Sequence, residues 1–243
     1  MFKKILTAEW LKLRHSFIWI VLITLPIISV LFGNFNFYFN QGVLKNEWYS
    51  LWTQVSLFYG EFFLPILIAI CCSYVCRLEH MNKNWNTIMT SPIPIKWIFI
   101  SKLVIVTILL FTVQIFLIFL YFCSGKIMGL SSQIPIEILG WTLRGWLATI
   151  TIASLQLGLS IRIRSFATPI GISICCVFMG LGMYLLKLGM FFPHSLLTIG
   201  MGVISQKGLN TFSMIQFLFM NAVFTILFSC LTIGRLKKVD VVA

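Results

Sequence analysis

LVIVTILLFTVQIFLIFLYFC, residues Leu103 to Cys123, carries no acidic or basic side chain. A run of about 20 such residues, rising about 1.5 Å each as a helix, covers the roughly 30 Å hydrocarbon layer of a bilayer while satisfying its own backbone hydrogen bonds. Working outward, five further stretches have the same character: approximately 17–39, 52–76, 138–161, 166–186 and 212–233. The whole chain agrees with them. Of its 243 residues 59% are hydrophobic and 10% charged, with mean hydropathy +0.99, whereas soluble domains carry about a quarter charged residues. A soluble enzyme is excluded on this ground.

The net charge of +12 does not point to nucleic acid, because the basic residues punctuate apolar runs instead of covering one solvated face. Anionic lipid headgroups are the expected partner. Lys3, Lys4, Lys12, Arg14, Arg77, Lys83, Lys96, Lys102, Arg162, Arg164, Arg235, Lys237 and Lys238 fall on one side of the spans. Only Lys45, Lys126, Arg144, Lys187 and Lys207 fall on the other. Cationic loops are retained inside, so both termini are expected in the cytoplasm. Trp48, Tyr49, Trp52, Trp141 and Trp146 suit an aromatic belt at the outer interface. No small-residue cleavage pattern follows the first apolar run, so that span is expected to stay in the mature protein. Residues 1–243 read as one membrane domain.

Residues 1–16 place Phe2, Ile5, Leu6, Trp10 and Leu13 on one helical arc and Lys3, Lys4, Thr7 and Arg14 on the opposite one, the pattern of a helix lying in the inner interface, or of a charged flank that only sets topology. Glu9 falls near the middle of the apolar arc and is expected to reach a cytoplasmic loop or partner. Between the second and third spans, Met81, Trp85, Ile88 and Met89 share a helical face, and Ser91-Pro92 with Pro94 must stop the helix. This predicts a short amphipathic helix on the cytoplasmic side, or a loop whose apolar residues rest on lipid.

Glu61 and Arg144 fall inside the second and fourth spans, where ionisable groups are costly. The residues leave two readings open: an ion pair lining an outward-facing cavity, or an Arg144 that extends to the headgroups with the second span starting at Glu61. Residues 187–211 are apolar but broken by Pro193, Gly200 and Gly202. They predict a re-entrant or interfacial hairpin on the outer side, or a loop resting on lipid, with His194 as an interface residue. Ser154-x-x-x-Gly158 and Ala167-x-x-x-Gly171 permit close helix approach. The seven cysteines show neither a disulfide framework nor metal-ligand spacing. His15, His80 and His194 are scattered, and there is no Gly-x-x-x-x-Gly-Lys-Ser/Thr, His-Glu-x-x-His or Gly-x-Ser-x-Gly. On these grounds no catalytic residue and no nucleotide or metal site is expected in this chain.

The order of an N-terminal interfacial helix containing Glu9-x-x-Lys12, six spans, and a first cytoplasmic loop reading Glu79, Asn84-Trp85, Ser91-Pro92-Ile93 and Ser101-Lys102 resembles the ABC-2 type permeases. Among them it is most similar to the permease subunits of lantibiotic self-protection transporters, with bacitracin-resistance permeases close behind. The resemblance covers essentially the whole chain. It implies an all-α polytopic fold in which Glu79 to Thr90 is a coupling helix seated on a separate ATPase through Glu79, Met81, Trp85, Ile88 and Met89. It also implies an N-terminal interfacial helix marked by Glu9, Trp10 and Lys12. Arg162 and Arg164 offer a second cytoplasmic contact, or simply set topology. The implied assembly is a plasma-membrane exporter, bacterial in type. It has two ATP-binding subunits carrying ATP and Mg, a second permease that is a paralogue or another copy, and a membrane-active peptide antibiotic as cargo. Export of bacitracin, a lipid or another hydrophobic substrate is the neighbouring alternative. An ion-coupled secondary transporter or channel subunit is the more distant one.

Overall fold

A computed structural model describes residues 2–81, 84–131, 135–206 and 208–238. The side chains of Asn84, Asn86 and Met89 lie outside that description. No strand occurs among the described residues. In chain order the helices are α1 (Phe2–Leu13), α2 (Ile18–Phe39), α3 (Glu47–Ser56), α4 (Leu64–His80), α5 (Asn84–Thr90), α6 (Ile95–Ile127), α7 (Glu137–Arg162), α8 (Ala167–Leu185), α9 (Pro193–Gly200) and α10 (Thr211–Leu236). A π-helical segment, Leu57–Phe63, joins α3 to α4 without a break.

Six helices are long and apolar enough to cross a membrane: α2, the continuous Glu47–His80 unit, α6, α7, α8 and α10. Two of them outrun the spans expected from hydropathy. Glu47–His80 has 34 residues and α6 has 33, so the expected ends at Trp52 and Cys76, and at Leu103 and Cys123, are corrected outward. An apolar window reports the width of hydrocarbon, whereas the backbone hydrogen-bond ladder continues past it until something stops it. Pro94 precedes α6 and so sets its start. The N-terminal helix is corrected inward, from Ser16 to Leu13. There the backbone amide and hydroxyl of Ser16 and the indole NH of Trp19 all donate to the Leu13 carbonyl and close the helix.

Helix α7 is the hub, packing against α4, α6, α9 and α10, while α1 lies along α6. One end of the bundle gathers α1 and the connections α4–α6 and α7–α8; we call it the terminal end. The other holds the connections α2–α3, α6–α7 and α8–α10. This second end is aromatic, but Trp48, Trp52 and Trp141 are core residues and form no belt, which corrects the sequence reading for them; Trp146 is half-buried. Trp48 and Trp52 are buried to 1% and 0% exposure. Trp52 stacks on Trp141 and meets the edge of Tyr121, at centroid distances of 5.9 and 5.3 Å. Their polar atoms are used: the Trp48 indole donates to the Ser131 carbonyl, the Trp52 indole to the Met201 carbonyl, and the Tyr121 hydroxyl to the Trp48 carbonyl. Gly125 makes the packing possible, since a Cβ there would run into the Trp48 ring.

Candidate functional site

Glu9 interrupts the apolar arc of α1, and the fold shows why. That arc packs on α6, with Phe2 against Trp97 at 4.9 Å, and Glu9 is carried into the interface with 6% exposure. Its partner is Lys102 of α6, not a loop, which corrects the expectation for Glu9. The Lys102 ammonium, fully buried, donates to both Glu9 carboxylate oxygens at 3.2 and 3.0 Å and to Glu79 Oε1 at 3.1 Å. Lys12, on the outer side, donates to Glu9 Oε1 at 3.0 Å and to Glu79 Oε1. Two carboxylates and two ammonium groups thus form a closed, neutral quartet that ties α1, the end of α4 and the start of α6 together.

Buried ions are tolerated only when paired and hydrogen-bonded, and here each acid has both bases. Lys102, which the sequence placed only among the topology-setting charges and in the Ser101-Lys102 pattern, is the buried centre of this quartet. The signal was present: a lysine a turn and a half inside the apolar run of α6 and a lone glutamate inside the apolar arc of α1 are two misfits that satisfy each other.

The expected coupling helix over Glu79 to Thr90 is divided. Glu79 belongs to α4 and is 2% exposed; α4 stops at His80, where Met81 turns extended; and α5 begins at Asn84. Trp85 is completely buried, its ring 5.8 Å from that of His80. In turn His80 Nε2 bonds the Ser160 carbonyl on α7 at 3.1 Å. Glu79 and Trp85 therefore face inward and leave the predicted contact face. Of that face, Met81 is 50% exposed and Ile88 half-buried, while Met89 has a side chain outside the described residues. Thr87 and Thr90 are exposed beside them.

Arg162 and Arg164 are both exposed. Their loop lies next to the end of α4: Ser73, Arg77, His80, Ile163, Arg164 and Phe166 line one narrow crevice, and the Arg77 guanidinium sits 5.4 Å over the Phe166 ring. The two stretches proposed from sequence as contacts thus adjoin on one end of the bundle, beside the quartet. Trp10 is on the outside of α1, edge-on to Trp19.

At the opposite end Glu61 and Arg144 do not pair, so that reading is corrected. Both reach α9 instead: Glu61 Oε2 accepts from the Thr198 hydroxyl at 2.7 Å, and the Arg144 Nε–H points at the Gly200 carbonyl at 3.4 Å. Helix α9 exists because Pro193 starts it and Gly202, at φ +61°, turns the chain at its far end against the Trp141 ring. Its residues from Pro193 to Thr198 are all buried, so it is a plug among α7, α8 and α10 and does not rest on lipid. Burial pushes the His194 imidazole down to about 4, neutral at physiological pH.

A family model described as an ABC-2 family transporter protein matches residues 5–180, which run from within α1 into α8 and contain the whole quartet. No curated protein and no solved structure matches the chain. Membership in that family implies an ABC ATP-binding partner, because the permease is a transmembrane subunit with no ATPase site of its own. With six membrane-crossing helices and a family match over most of its length, the chain belongs to the ABC-2 family of transporter proteins.

Proposed function

We propose that this chain is the permease subunit of an ATP-driven exporter that takes a lantibiotic, or a similar membrane-active peptide, from the plasma membrane and expels it outward. The bias of Lys and Arg puts the terminal end, with both termini, in the cytoplasm. The ATPase docks there on Met81, Thr87 and Ile88, with Arg162 and Arg164 as a second contact, and ATP and Mg belong to that partner. The observation that carries the reading is the quartet of Glu9, Lys12, Glu79 and Lys102. It makes α1, α4 and α6 one rigid body beside α5, so a push on α5 moves spans instead of bending a loop. A permease with few intramembrane charges also suits cargo selected by partitioning and shape.

The test is co-purification in detergent with a co-expressed ABC ATP-binding subunit, followed by growth of the same cells in lantibiotic or bacitracin. The combined Met81→Glu and Thr87→Arg variant alters exposed residues and should reduce ATPase capture about tenfold or more with its melting midpoint unchanged. Undiminished capture would overturn the docking face. Tolerance to bacitracin alone would move the cargo to that alternative.

A further inference from the structure

Gln114 stands in the membrane-crossing helix α6 with 2% exposure, and neither its amide nitrogen nor its amide oxygen has a hydrogen-bond partner among the described residues. A polar group buried without a partner is costly, and here both polar atoms of one side chain are in that state.

Gln114 lines a groove of about 240 Å³ between the second half of α6 and the first turns of α7. Phe111 and Ile115 of α6 and Leu139 and Leu143 of α7 form its walls. Each of the four is itself exposed, so the groove opens sideways on the outside of the bundle. The other hydrogen-bonding side chains of the lining are already used: the Thr142 hydroxyl donates to the Ile138 carbonyl at 2.8 Å, and the Trp146 indole to the Thr107 carbonyl at 3.2 Å. Gly145, next to them on α7, leaves room for the Gln114 amide, whose nitrogen would lie 3.6 Å from a Cβ added there.

We propose that this groove binds one edge of an extended apolar peptide, with the Gln114 amide turned to the peptide backbone and the apolar walls taking its side chains. The amide offers a donor and an acceptor side by side. A residue in extended conformation presents its own N–H and C=O on one edge, the arrangement by which neighbouring strands exchange two hydrogen bonds, and so matches both. A glycerolipid ester has a carbonyl to accept but no N–H to give, and would leave Gln114 Oε1 unpartnered. That the peptide is the cargo rests on the export reading; the hydrogen-bond chemistry of the groove does not.

The experiment uses the full chain in phosphatidylcholine nanodiscs and two probes: N-octanoyl-leucine methylamide, and its depsipeptide analogue in which an ester oxygen replaces the leucine N–H. Binding is followed as the tryptophan fluorescence change that Trp146→Phe removes. The amide probe should act at bilayer concentrations about tenfold lower than the ester on the wild type, and the two should act alike on Gln114→Leu. Gln114→Leu itself should melt no lower than the wild type, since no partner within the chain is lost. A clearly lower melting midpoint, or failure of this variant to fold, would show the amide engaged inside the bundle and overturn the proposal. Equal action of the two probes on the wild type would overturn it too and assign the groove to lipid, as would the absence of any response that depends on Trp146. Undiminished ATPase capture by the α5 variant would leave it standing, because this assay contains no ATPase.

Discussion

Lys102 and Lys12 touch the same two carboxylates but differ in surroundings, and that difference sets their worth. The Lys102 side chain has no exposure, while that of Lys12 is 37% exposed. Lys102→Met leaves Glu9 and Glu79 buried with one base between them, the situation in which breaking a buried pair costs about 3–5 kcal/mol. Lys12→Met removes a charge that water already screens and should cost about 1 kcal/mol or less. Thermal unfolding of the purified protein in detergent checks the order; equal losses for the two variants would refute Lys102 as the buried centre. Glu61 and Arg144 teach a related lesson at the other end. Each reaches a group on α9, Glu61 the Thr198 hydroxyl and Arg144 the Gly200 carbonyl, and neither reaches the other.

At the scale of elements, two small-residue spacings that look alike in sequence have different meanings. A Cβ on Gly158 would run into Thr232 of α10, whereas one on Gly171 meets nothing within 4 Å. Gly158→Val should therefore push α10 off α7 and lower stability by roughly 1–3 kcal/mol, the usual cost of overpacking, while Gly171→Val is close to neutral. The melting midpoints of the two variants compare them directly, and a Gly171 variant as unstable as the Gly158 one contradicts this packing. The amphipathic stretch after α4 is a second case. Its periodicity puts Met81 and Trp85 on one helical face, but the chain turns extended between them, so that Trp85 is buried against His80 while Met81 stays outside.

For the whole molecule, the uneven distribution of Lys and Arg predicts that the terminal end lies in the cytoplasm. Thr87→Cys, at an exposed site of α5, should stay unlabelled by a membrane-impermeant maleimide on intact cells and become labelled after lysis. Labelling of intact cells above the wild-type background would invert the topology and remove the docking face with it. Helices α8 and α10 keep most of their apolar surface uncovered, as expected of elements bordered by lipid or a second permease.

The sequence by itself determined the helical class, the six crossings and the positions of the charges that do not belong in oil, because hydrocarbon imposes its length and its penalty on each segment separately. It also marked Glu9, Glu61 and Arg144 as misfits. Tertiary structure alone decided which misfit meets which: Glu9 with Lys102 and Glu61 with Thr198, across separations of 93 and 137 residues. It decided too that the aromatic end is core and that α9 is a plug. Those outcomes depend on which helix faces are brought into contact, and periodicity gives each helix a face without naming its neighbour.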